Sequence, residues 1–135
     1  MEQNNRKYLA IINFLRQFIS VFFSLFFNIY ILKIVNNDIV FVMKYSLYYV
    51  LIGFVFEYLI LKIINSKNAK YIYRASFPLL VLCIILLISF KEKIVNYIYL
   101  FETLKAIASI MYAVPYEFIV RSTFNNIITT SKTYK

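Results

Sequence analysis

Long apolar stretches separated by short polar ones dominate the pattern of this 135-residue chain. Four stretches reach or approach the roughly 20 apolar residues that one helix needs to cross a lipid bilayer. Polar interruptions separate them at Asn36–Asp38, Asn65–Asn68 and Lys91–Lys93. The pattern predicts one membrane domain over residues 1–135, with helical spans at about 8–35, 39–64, 71–90 and 94–120.

The composition favours lipid over water as the solvent of these stretches. Hydrophobic residues make up 62% of the chain and charged residues 16%, whereas soluble domains average about half and about a quarter. A soluble helix shows a polar face beside its apolar stripe, but Leu79–Phe90 has neither a charged residue nor a polar face. Strands of a membrane barrel alternate polar and apolar residues, and these runs do not. We therefore expect an all-α polytopic membrane protein with four transmembrane helices.

The net charge of +9 could indicate a nucleic-acid partner, but the placement of the basic residues favours a membrane orientation instead. If the N-terminus lies inside and the chain crosses four times, five of the 15 basic residues fall outside and the other ten inside. This excess matches the positive-inside rule. We expect a multi-pass protein of the cell membrane, such as a bacterial inner membrane, with both termini cytoplasmic and lipid, not nucleic acid, as its surroundings. The five outer residues are Lys33, Lys44, Lys91, Lys93 and Lys105.

Tyrosine must supply any aromatic belt at the membrane surfaces, because the chain has 13 Tyr and no Trp. Such belts lie at the two interfaces between lipid and water. Seven tyrosines fall near predicted span ends, namely Tyr8, Tyr30, Tyr45, Tyr71, Tyr73, Tyr97 and Tyr99.

Polar side chains in the first span recur at steps of three or four residues and therefore share one helix face, with Arg16 at its edge. Because polar groups are costly in hydrocarbon, this face must turn away from lipid. It forms either a polar path for a solute or a packing surface between helices. Packing is the favoured interpretation for Ser20 and Ser24, and both remain open for Asn28. The stripe comprises Asn13, Gln17, Ser20, Ser24 and Asn28.

The second and fourth spans carry further candidates for a polar path or for contacts between helices. Gly53, the only glycine, shares a face with Glu57. It is either a hinge or, as we favour, a point where another helix crosses closely. In the fourth span, Ser109 and Glu117 share a face with small residues, and Pro115 predicts a kink about one turn earlier because it removes a backbone hydrogen bond.

Charged residues in the spans are expected to be paired, since an unpaired charge in hydrocarbon is costly. Arg16, Glu57 and Glu117 fall at similar depth near the predicted inner side, so we hypothesise that Arg16 pairs with one of the two glutamates. The spacing also allows local pairs at i,i+3 and i,i+4, which we interpret as neutralisation near helix ends. These local pairs are Glu102–Lys105 and Glu117–Arg121.

Catalysis is not expected from this chain. It has no His, one Cys and one Gly, so it offers no catalytic triad, no Gly-rich phosphate loop and no metal site based on His or Cys. We expect a protein that is not an enzyme and that uses neither cofactor nor metal.

Three features resemble the first helices of a major facilitator superfamily transporter. The segment Leu15–Ser20 and the Phe-rich run after it, ending at Asn37, are similar to the first helix of the family. A basic inner loop separates spans two and three, and a brief outer turn joins spans three and four. The segment Met111–Glu117 resembles an aromatic-x-x-Pro-aromatic stretch in the fourth helix of some bacterial members.

The loop signature and the length both depart from that family. In the stretch Leu61–Lys70, Asn65 stands where the family has Asp, and only Lys70 matches its basic signature. Members have about twelve spans in two six-span halves, with the solute site between the halves. The resemblance therefore implies a partial or truncated transporter that moves a small solute, whose partner is the missing half or another copy of the chain. The alternatives are a non-transporting membrane subunit or assembly partner of another integral membrane protein, and a complete four-span transporter that works as a homo-oligomer.

Overall fold

The computed structural model of this protein describes residues 2–133, and every regular element among them is helical. The predicted all-α class is therefore confirmed. In chain order the elements are α1 (Glu2–Ile34), α2 (Ile39–Ile63), α3 (Ala69–Phe90), a short 3₁₀ helix (Lys91–Tyr97) and α4 (Ile98–Thr133). The chain divides between Val42 and Met43 into two compact units.

Three segments are long and apolar enough to cross a membrane, by length and composition. In their most apolar windows only 6%, 6% and 11% of the residues are buried inside the structure, so most apolar side chains there need an apolar environment outside the protein. The predicted membrane-helix character is thus confirmed for three segments, while the count of four spans stays a prediction. The segments are Arg6–Ile34, Ile39–Ile63 and Ala69–Lys132.

The turn between α1 and α2 uses the conformational tolerance of asparagine. Asn36 and Asn37 have positive φ angles of 54° and 63°, a left-handed conformation that asparagine adopts more readily than most residues. The backbone N–H of Phe41 donates to Asp38 Oδ1 at 3.1 Å, which satisfies a free donor in the first turn of α2. The interruption predicted at 36–38 is therefore a capped turn.

The turn between α2 and α3 is closed by two asparagine side chains. Asn65 Oδ1 accepts the backbone N–H groups of Lys67 and Asn68, at 2.9 and 3.0 Å. Asn68 Nδ2 donates to the carbonyl of Ile63 at 2.7 Å, where α2 ends. These bonds satisfy backbone groups that the helix ends leave open, so the predicted interruption at 65–68 is confirmed.

The connection between α3 and α4 differs from the prediction. Lys91 adopts a φ of 47° and donates its N–H to the carbonyl of Leu87, which ends α3. The chain then forms the 3₁₀ helix, and α4 begins at Ile98 instead of residue 94. Ile94 and Val95 belong to this connection, and Ile94 is buried there at 2% exposed. The span start at about 94 stays a prediction.

A ladder of phenylalanine rings dominates the first unit. Along α1, Phe14, Phe18, Phe22 and Phe26 follow at i,i+4 spacing, with successive ring centroids 6.5, 4.8 and 5.6 Å apart. All four side chains are exposed, up to 68% for Phe14. At 100° per residue the ladder lies opposite the buried side of α1, which carries Phe27. The exposed ladder is the side of α1 that suits contact with lipid.

An antiparallel hairpin of α3 and α4 forms the core of the second unit. Ring contacts show that the two helices are antiparallel. The ring centroids of Tyr73 and Tyr112 are 5.3 Å apart at one end of the hairpin, and those of Phe90 and Tyr97 are 5.5 Å apart at the other. Cα atoms of α3 and α4 approach within 8 Å of each other. Small side chains on α3 allow this approach. They are Ala69, Ser76 and Cys83, spaced seven residues apart and each at most 1% exposed.

Several expectations about individual residues need correction. Tyr45 is not a belt residue, because it is 1% exposed. Tyr73 is half-buried and its ring centroid lies 5.3 Å from that of Tyr112, so its place in a belt stays a prediction. Pro78 lies near the middle of α3. Pro115 is buried within α4, and the kink expected before it stays a prediction. Helix α4 extends to Thr133, and the span end at about 120 stays a prediction.

Candidate functional site: a buried ion pair beside an apolar groove

An ion pair lies inside the most apolar segment of the chain. Lys105 Nζ donates to Glu102 Oε1 at 2.8 Å, across a single turn of α4. The Glu102 side chain is 1% exposed and that of Lys105 is 14% exposed. Burying a charged side chain away from water costs free energy unless an opposite charge pairs with it. The i,i+3 pair predicted from spacing near a helix end is confirmed in the second turn of α4, and it is buried.

Two tyrosines of α2 pack around this ion pair. Lys105 Nζ lies 4.8 Å from the ring centroid of Tyr49, a cation–π distance. Tyr45, one turn earlier on α2, is buried at 1% exposed. Helix α2 therefore contributes aromatic side chains on the side of the ion pair.

A hydrogen-bonded relay connects α2 to α4 next to the ion pair. Thr103 Oγ1 donates to the carbonyl of Tyr99 at 2.8 Å, and it lies 2.8 Å from the Tyr48 hydroxyl. Since the single threonine hydrogen is used on the carbonyl, Tyr48 is the donor to Thr103. The Tyr48 and Tyr99 rings also meet edge to face at 5.0 Å. We call the residues around the ion pair the polar cluster: Tyr45, Tyr48, Tyr49, Tyr99, Glu102, Thr103 and Lys105.

The relay gives a testable prediction. Replacing Tyr48 with phenylalanine removes one interhelical hydrogen bond, which should lower the free energy of unfolding in detergent by about 1 kcal/mol. Replacing Thr103 with valine should have a similar effect. If the bond is direct, the stability lost in the double variant should be smaller than the sum of the two single losses by about 1 kcal/mol. Fully additive losses in this double-mutant cycle would contradict the relay.

A groove of about 180 Å³ begins beside the polar cluster and runs between α2 and α4. Tyr49 lines it at the cluster and Glu57 lines it further along α2. Eight residues separate these two, which corresponds to about 12 Å along a helix. The other described lining residues are apolar or glycine, so Glu57 is the charged side chain of the groove. The lining residues are Tyr49, Val50, Gly53, Phe54, Glu57, Ala106 and Ile110.

Gly53 does not mark a close helix crossing, contrary to the favoured interpretation. A Cβ atom added at this position would meet no heavy atom within 4 Å. The missing side chain instead leaves open space in the wall of the groove. Gly53 and Glu57, which the sequence places on one helix face, are thus brought together as lining residues.

The other candidates in the second unit lie elsewhere. Ser109 is half-buried and Pro115 is buried, and neither lines the groove. Glu117 is 69% exposed and lies 3.9 Å from Arg121, which confirms the predicted local pair. An exposed pair at this distance contributes little to stability.

Polar residues of the first unit vary in exposure along their stripe. Arg16 is 8% exposed, which is low for a charged side chain. Asn13, Ser24 and Asn28 are half-buried, whereas Gln17 and Ser20 are exposed. The pairing of Arg16 with Glu57 or Glu117 stays a prediction.

The interpretation of the sequence missed most of the polar cluster. Tyr45 and Tyr99 were interpreted as belt residues, and Tyr48 and Thr103 carried no assigned role. One signal was available, since Tyr45, Tyr48, Tyr49 and Tyr99 all fall near predicted outer span ends, as do Glu102 and Lys105. A dense group of tyrosine hydroxyls near a pair of charged residues indicates hydrogen bonding between helices.

Comparison of this chain with protein-family models, with curated proteins and with solved structures gives no match. The polar cluster and the groove therefore carry the functional argument.

Proposed function

We propose that this protein is an integral membrane transport protein that moves a small solute across the cell membrane. The observation that carries the proposal is the groove between α2 and α4, which Glu57 lines and whose Tyr49 ring lies under Lys105 of the buried Glu102–Lys105 pair. Ionisable residues within membrane helices are uncommon and typically mark the paths of substrates or ions. A groove with a carboxylate in its wall and a buried ion pair beside it supports such a path for a small solute.

The proposal includes four crossings, with α3 and α4 as separate spans. The 64-residue segment Ala69–Lys132 folds back on itself as a hairpin. Its shorter arm, α3, has 22 residues and is about 33 Å long, enough for a hydrocarbon core of about 30 Å. The relationship to the first helices of the major facilitator superfamily belongs to this proposal and is supported by the sequence segments described above.

The proposed topology predicts the locations of five sites in cells. With both termini cytoplasmic, reporter fusions at residues 4 and 132 should both report the cytoplasm. Single cysteines at Asn37 and Glu92, in a Cys83→Ser background, should react with a membrane-impermeant maleimide added from outside. A cysteine at Ser66 should react only after permeabilisation. External labelling at 66, or opposite locations for the two termini, would contradict four crossings.

Transport itself is tested by uptake into proteoliposomes that contain the purified chain. The probes are radiolabelled leucine, glucose, uridine and 2-phenylethylamine, which sample four classes of small solute. We expect saturable accumulation of at least one probe above empty liposomes, and its loss in a Gly53→Leu variant that fills the groove. If no probe accumulates while the chain remains folded and monodisperse, transport by this chain is contradicted. A non-transporting membrane subunit then becomes the better explanation.

A further inference from the structure

Glu57 has a different environment from Glu102 and Glu117, two acidic residues of the second unit that form ion pairs. Glu102 pairs with Lys105, and Glu117 lies beside Arg121. Glu57 is half-buried within α2, six residues before its end at Ile63, and in the described structure no ion pair within 4.0 Å involves it. The Glu102–Lys105 pair is internally neutral. The groove that Glu57 lines therefore carries one net negative charge, and this charge lies at its Glu57 end.

The walls beside this carboxylate suit an apolar body with a positive charge. Phe54 contributes an aromatic ring, and Val50, Ala106 and Ile110 contribute aliphatic surface, whereas Tyr49 lies at the far end with Lys105 over its ring. Aromatic faces attract cations, and a carboxylate forms charge-assisted hydrogen bonds with an ammonium group. The volume of about 180 Å³ is below the roughly 300–1,000 Å³ of pockets for drug-sized ligands. It suits a single ring with a short chain.

From this arrangement we infer that the groove between α2 and α4 binds a small aromatic or aliphatic amine as the ammonium cation, with Glu57 as its counter-ion. The apolar body occupies the space that Gly53 leaves open, between the two helices. Sugars and anions lack the matching charge, and larger amphipathic cations exceed the volume. The inference names the solute class for the proposed transport site, so it rests on the proposed function for its biological meaning, but binding is measurable without transport.

Binding of 2-phenylethylamine to the full chain in lipid nanodiscs tests the inference. The compound has one ring, a short chain and an ammonium group at neutral pH. We expect saturable binding of the radiolabelled compound, at least about tenfold weaker in Glu57→Gln, which keeps the shape but removes the charge. Competition by 2-phenylethanol, of similar shape but neutral, should be weaker by a similar factor. Glu117→Gln is the matched control and should bind like the wild type.

Two variants separate the groove from the charge. Gly53→Ala should fold normally, because its Cβ meets nothing within 4 Å, and it should bind with a modest loss. Gly53→Leu should fill the groove and abolish binding. Folding is checked for each variant by circular dichroism and by elution as a single species.

Three outcomes would overturn the inference. The first is equal binding by wild type and Glu57→Gln, and the second is equal competition by the neutral alcohol. The third is binding that appears only in Arg16→Gln, which would show that Arg16 already neutralises Glu57. Amine binding in nanodiscs without uptake in proteoliposomes would support the amine site and contradict the proposed transport function. Uptake of another probe without amine binding would support transport and contradict the amine site.

Discussion

Replacing Lys105 with methionine should destabilise the second unit by about 3–5 kcal/mol, a large share of the stability of a small domain. The substitution keeps the length of the side chain but leaves the Glu102 carboxylate, which is 1% exposed, without its cation. A buried charge that loses its only close counter-ion retains its full desolvation cost. The free energy of unfolding, measured by denaturant titration in detergent micelles, should therefore fall sharply, and membrane accumulation with it.

The double variant Glu102→Gln, Lys105→Met is the decisive comparison. It removes both charges, so most of the lost stability should return, because a neutral pair no longer carries the desolvation cost. The control is Arg121→Met, which breaks the exposed pair with Glu117 and should change stability by less than about 1 kcal/mol. Equal effects of Lys105→Met and Arg121→Met would mean that Lys105 is solvated and that the polar cluster does not exist as described.

The helices could be predicted from the sequence because the physical signals were local. Long apolar runs require helices that satisfy their own backbone hydrogen bonds in lipid, and the Asn-rich interruptions at 36–38 and 65–68 provide caps and left-handed turns. The third interruption, at 91–93, likewise follows the end of a helix, since α3 ends at Phe90, but Ile94 after it is apolar for a different reason. It is buried by the reversal between α3 and α4, and hydropathy does not distinguish a buried connection from the beginning of a span.

The site was less predictable because it depends on contacts between helices. Spacing placed Gly53 and Glu57 on one face of α2, but it could not show that the space beside Gly53 is open. Whether a helix glycine permits a close crossing or leaves a groove depends on the neighbouring helix. The interpretation of Gly53 as a close crossing was therefore wrong, although Gly53 and Glu57 do line the same groove. Likewise, Tyr45 has the position of a belt residue, and only the packing of the second unit shows that it is buried.

The solvent of the exposed apolar surface is tested most directly on α1. Replacing Phe26 with arginine puts a charge near the middle of the most apolar part of α1, at a side chain that is 63% exposed. If this surface faces lipid, the change should disfavour insertion by about 2.5–3.5 kcal/mol, the cost of an arginine at the centre of a membrane helix. If the surface faces water, the same arginine should leave stability nearly unchanged and improve solubility.

Insertion can be measured with a glycosylation reporter or by protease protection of α1 in microsomes, comparing wild type, Phe26→Arg and Phe26→Ala. The alanine variant removes the ring without adding charge and should insert nearly as well as the wild type. A second control, Asn126→Arg, places the same charge on the exposed polar end of α4 and should have little effect on membrane accumulation. The contrast between positions 26 and 126 separates a lipid boundary from a general effect of added charge. Equal tolerance at both would place the phenylalanine ladder against water or a protein partner and would remove the membrane premise that the groove and its ammonium ligand require.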